Sequence, residues 1–90
     1  MSKNKEERIA DLKAMHRIII SCNDETYYWN WVSYGWIPDE PTEEDFEYVA
    51  DNEEAWVETC DRFGRYISKA VNNGGFFFDK TGYWWKGKEE

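Results

Sequence analysis

The sequence predicts an α+β fold, mainly helical, in which three or four helices carry a C-terminal aromatic β-hairpin. Three observations predict it. Apolar residues recur at helical spacing in successive stretches, and capping residues and glycines punctuate those stretches. Two aromatic triplets, Phe76-Phe77-Phe78 and Tyr83-Trp84-Trp85, flank the turn-forming Asp79-Lys80-Thr81-Gly82.

Ile9, Leu12, His16 and Ile19 share one helical face while Glu6, Arg8, Asp11, Lys13 and Arg17 take the others, so a first helix is expected over residues 4–21. The β-branched run Ile18-Ile19-Ile20 leaves a strand open as an alternative at its end. Asn23, Asp24 and Glu25 signal a new helix start, and Tyr27, Tyr28, Trp31 and Val32 form a stripe that stops at Gly35. A strand is the alternative there too, because the segment is rich in Tyr and Trp. Pro38 and Pro41 make residues 36–41 a loop. Thr42 then caps a short helix through Ala50 with Phe46 and Val49 inward, and Asp51 with Glu54 forms a capping-box signal for the next one. Trp56, Cys60, Phe63, Ile67 and Val71 give that last helix, residues 52–72, the longest apolar stripe, which makes it the expected centre of the fold. Asn72-Asn73-Gly74-Gly75 ends it.

A chain of 90 residues closes one hydrophobic core, so 1–90 is read as a single compact domain. Six Trp, six Tyr and five Phe supply enough ring surface to fill that core and argue against disorder. No apolar stretch follows the polar Met1 to Arg8 segment, and no run is long enough to span a bilayer; a cytoplasmic protein with no membrane partner is expected. Cys22 and Cys60 are far apart in sequence and read as reduced thiols that pack as small hydrophobes, with a disulfide as the alternative.

Charge is segregated. Every Lys and Arg lies at or before Arg17 or from Arg62 onward, while thirteen carboxylates occupy the interval. Direct binding to a nucleic-acid backbone is disfavoured, since such binding needs positive charge to displace counterions. Acids at helix starts suit the macrodipole, and a charged stretch can simply be a solvated face. The functional alternative is an anionic surface complementary to a basic groove of another protein, where it would act as a decoy for nucleic acid. The candidate partner-binding residues are Asp39, Glu40, Glu43, Glu44, Asp45, Glu47, Asp51, Glu53, Glu54 and Glu58, with Trp84 and Trp85 of the aromatic hairpin.

Catalytic and metal chemistry find little to work with. His16 is the only histidine and sits on an apolar stripe, the acidic loop lacks the calcium-loop spacing and glycine, and one imidazole with two separated thiols makes a poor zinc site. No enzyme activity and no cofactor are expected. Two further readings stand beside the decoy. One is an adaptor that forms a homodimer through the hairpin. The other is a sponge for a nucleotide-like ligand, with Arg62, Arg65 or Lys69 meeting its phosphates.

The stretch Trp36-Ile37-Pro38-Asp39-Glu40-Pro41-Thr42-Glu43-Glu44-Asp45-Phe46-Glu47-Tyr48-Val49-Ala50, followed by an acidic helix, resembles small acidic proteins of phages and prophages of Gram-positive bacteria. That resemblance covers about a third of the chain. It implies an inhibitor of host defence nucleases or an anti-CRISPR protein, acting in the host cytoplasm on a nucleic-acid-binding enzyme, and it assigns no particular residue.

Overall fold

The computed structural model describes residues 4–22, 24–72, 77–78 and 84–85. Four helices build the fold: α1 (Lys5–Ile20), α2 (Glu25–Tyr34), α3 (Glu43–Asp51) and α4 (Glu53–Asn72). Among the described residues, strand is confined to Phe77–Phe78 and Trp84–Trp85, paired antiparallel with Phe77 opposite Trp85 and Phe78 opposite Trp84. Two rungs are not a sheet layer, and among the residues whose burial is described every buried one belongs to the helices or to the loop before α3. The expected α+β class is therefore corrected to a four-helix, nearly all-helical fold. Phe76, Tyr83 and the Asp79–Gly82 turn of the expected hairpin lie outside the described residues.

Local chemistry explains where each helix begins. Asn4 and Glu7 form a reciprocal capping box on α1, Asp24 accepts from the Thr26 amide at 3.0 Å, and Thr42 and Asp45 form a second capping box on α3. The junction of α3 and α4 differs from expectation. Asp51 is the last residue of α3, and it is Asn52 whose side chain accepts from the Ala55 amide at 3.0 Å. One residue thus closes α3 and caps α4, leaving no loop between them. Ile18, Ile19 and Ile20 stay helical, because burial of Ile18 and Ile19 outweighs the small β preference of branched side chains.

The helices pack as a closed cycle in which α1 meets α2 and α3, and α4 meets α2 and α3. The last helix is one corner of this cycle, not its hub. Its buried face runs through Ala55, Thr59, Phe63, Ile67 and Ala70, while Trp56 and Cys60 are half-buried; the expected stripe is rotated because Trp56 packs beneath Arg8 at the edge. Among the described residues, Leu12, Ile19, Trp31, Ile37 and Val49 are the largest side chains fully out of water. Ile37 sits in the proline loop and plugs the core from outside the helices. At the end of α2 a Cβ on Gly35 would come within 2.5 Å of the Trp31 carbonyl oxygen, which restricts this position to glycine.

His16, half-buried on α1, serves the core as a hydrogen-bond acceptor. Its Nδ1 receives the Trp31 indole N–H at 3.1 Å, and the Tyr28 and Phe46 rings stand about it. Burial pushes the imidazole below its ordinary value of 6.5, partly offset by the Asp39 carboxylate. Protonation would turn the acceptor into a donor facing a donor. With the folded value depressed, the stabilisation is full above the ordinary value of 6.5 and is lost as pH falls below it. Unfolding free energy should therefore fall from about pH 7.5 to about pH 5.5. In His16→Asn, which keeps an acceptor but cannot titrate, the fall should be smaller; identical pH profiles would contradict this role.

Candidate partner-binding face

The acidic block has no bases of its own, but α1 lends it three. Lys5 pairs with Asp51 at 3.1 Å, Arg8 with Glu53 at 2.9 Å and Lys13 with Glu43 at 3.0 Å. The Asp51 hydrogen bond and charge hold the Lys5 ammonium above its ordinary value, with a further contribution from Glu47. Glu43, Glu47 and Asp51 are spaced one helical turn apart on α3 and form its flank toward α1. Asp45 is half-buried and engaged in the Thr42 cap. These carboxylates, read from sequence as partner residues, hold the helices together.

The other flank of α3 faces a different set of side chains. Tyr48 lies one turn after Glu44 and is 53% exposed; its ring is 5.7 Å from that of Trp36, which is 40% exposed. The Trp36 indole N–H donates to Glu58 Oε1 at 3.0 Å, and on α4 Glu54 and Asp61 lie one turn either side of Glu58. Trp36 thereby joins the outer flank of α3 to the outer flank of α4. The result is a strip of Glu44, Tyr48, Trp36, Glu58, Glu54 and Asp61, with Val57 exposed beside it. Among the described residues no ion pair reaches Glu44, Glu54, Glu58 or Asp61.

The remaining candidates scatter. Asp39 and Glu40 are exposed in the proline loop, where the Asp39 carbonyl accepts from the Tyr28 hydroxyl at 3.2 Å. Trp84 and Trp85 are strand residues whose side chains lie outside the described residues. Arg62, read as a phosphate contact, donates instead to the Asn30 carbonyl at 3.0 Å and lies over the Tyr66 ring. That leaves it pinning the end of α2 to α4.

Trp36, Tyr48 and Arg8 were not legible as a set. Trp36 read as loop and Tyr48 was not singled out on α3; only the closing of the helix cycle brings their rings together. Behind Trp36 a narrow cleft is lined by Trp31, Gly35, Ile37, Thr59 and Arg62. The Thr59 hydroxyl in its wall is buried without a partner among the described residues. Thr59→Val should raise stability by about 1 kcal/mol, because it removes a stranded hydroxyl at nearly constant volume. A lower denaturation midpoint in that variant would show that the hydroxyl is satisfied.

Among the described residues, no group of three or more His, Cys, Asp or Glu could hold a metal ion, and no helix is long and apolar enough to cross a membrane. Comparison with protein-family models, curated proteins and solved structures finds no match.

Proposed function

We propose that this chain is an acidic binding protein whose strip on α3 and α4 enters a basic groove of a nucleic-acid-binding enzyme and inhibits it. The observation that supports this reading is the division of the acids. Those toward α1 are neutralised from within, whereas Glu44, Glu54, Glu58 and Asp61 are left to the outside, around two exposed rings. Structural need accounts for the first group; in the second, Glu44 and Glu54 suit the starts of α3 and α4 and Glu58 accepts the Trp36 indole bond, yet among the described residues none of the four meets a base. Carboxylates arrayed without counter-charge raise the encounter rate with a basic surface and oppose acidic ones. The nuclease-inhibitor character follows from the resemblance to small acidic phage proteins and is proposed on that basis.

Two triple variants of equal net charge test the face. Glu44→Gln with Glu54→Gln and Glu58→Gln neutralises the strip; Glu43→Gln with Glu47→Gln and Glu53→Gln neutralises the flank toward α1. The probe is a fluorescent octapeptide of alternating arginine and glycine, followed by anisotropy at about 50 mM and about 300 mM salt. The strip variant should lose most of the salt-sensitive affinity while unfolding as the wild type does. The flank variant should keep affinity and lose stability. Equal losses of affinity in the two would mean that total charge, and not this face, attracts the peptide.

A further inference from the structure

The geometry points to an arginine side chain of the protein partner as the group received at the Trp36–Tyr48 pair. This rests on the reading of the strip as the partner face and names what its centre takes. The two rings lie 5.7 Å apart with a 33° angle between their planes, and both are substantially exposed, so they present aromatic surface to solvent. Exposed rings alone would suit an apolar partner. Here the Trp36 indole is hydrogen-bonded to one carboxylate, Glu58, the Tyr48 hydroxyl accepts from the Asn52 side-chain amide at 3.2 Å, and further carboxylates, Glu44, Glu54 and Asp61, follow at one-turn spacing along the two helices.

An apolar group docking between these carboxylates would strip them of water with nothing in return. A cation would satisfy both ring and carboxylate. Of the two basic side chains, the guanidinium suits this arrangement better: it is planar, weakly hydrated, and stacks on a ring while its edge donates to a carboxylate. Glu58 is held for that task, since the indole N–H occupies Oε1 and fixes the carboxylate beside the ring. The fold makes the same pairing internally, where Arg8 lies 4.7 Å over the Trp56 ring with its terminal nitrogen on Glu53. A lysine ammonium would meet the same charges as a hydrated point and gain less from the rings.

The test compares two capped octapeptides, alternating arginine with glycine and lysine with glycine, by calorimetry at about 50 mM salt. On the wild type the arginine peptide should bind about two- to fivefold more tightly. Trp36→Ala and Tyr48→Ala should each bring the arginine peptide down to the lysine level and leave the lysine peptide near its wild-type affinity. Trp36→Phe keeps a ring and should retain part of the preference, which covers the case in which Trp36→Ala unfolds. If the preference survives in the Trp36→Ala or Tyr48→Ala protein, the arginine assignment is wrong, while a loss of both peptides in the strip variant would leave the acidic-face reading standing. If the strip variant binds both peptides as the wild type does, that reading fails. Sedimentation giving a dimer that Trp36→Ala abolishes would also overturn the assignment, because the occupant would be a second copy of the chain.

Discussion

Trp31→Ala should lower the unfolding free energy by about 3–5 kcal/mol, more than any other single substitution in the fold. Trp31 is 2% exposed and, among the described residues, is the largest side chain fully buried in the core. It stands on α2, its edge meets Phe63 of α4 with ring centroids 6.1 Å apart, and its indole N–H reaches His16 of α1. Removing it opens a cavity at the meeting of three helices and strands the His16 acceptor. For a domain of this size the loss is a large share of total stability. Denaturant unfolding followed by circular dichroism measures it; a change under about 1 kcal/mol would mean that the core is organised elsewhere.

Arg8→Ala comes next, at about 2–3 kcal/mol. The Arg8 side chain is only 12% exposed. Its Nη1 donates to the Ala50 carbonyl at 3.2 Å near the end of α3, its Nη2 bonds Glu53 at the start of α4, and its guanidinium lies over Trp56. One side chain of α1 thereby fastens the loopless junction of α3 and α4. The buried Nε lacks a partner among the described residues, which offsets part of the gain. Arg8→Lys should recover little, because an ammonium cannot serve a carbonyl, a carboxylate and a ring at once. If thermal unfolding shows the lysine variant as stable as wild type, the clamp is a simple charge effect.

The contrast between these two residues shows what was readable from sequence. Trp31 declared itself: it sits with Tyr27, Tyr28 and Val32 at helical spacing between an Asp cap and a glycine stop, all local signals. Arg8 did not, because its partners are more than forty positions away and nothing in its neighbours distinguishes a clamp from a solvated charge. The same separation misled the reading of the acids. Glu43, Asp51 and Glu53 looked uncompensated because their bases lie beyond the local window, on α1. Helix starts were legible through Asp24 and Thr42, whereas the Asn4 capping box went unread and Asn52 was passed over for Asp51, since both fit the same spacing rule to within one residue. The fold class was misjudged at the other end of the chain. Aromatic triplets around a turn signal pairing, but the two rungs found among the described residues do not make a sheet layer beside four helices.

The most direct test of the central claim, that the strip joined by Trp36 is the partner surface, is a chemical-shift map of the isotopically labelled protein titrated with the arginine–glycine octapeptide. The Trp36 indole N–H and the amides of Glu44, Tyr48, Glu54, Glu58 and Asp61 should shift together, saturably and with one affinity, while those of α1 stay in place. Shifts centred on the exposed Trp29 and Tyr34 of α2, or spread evenly over every acidic residue, would contradict it.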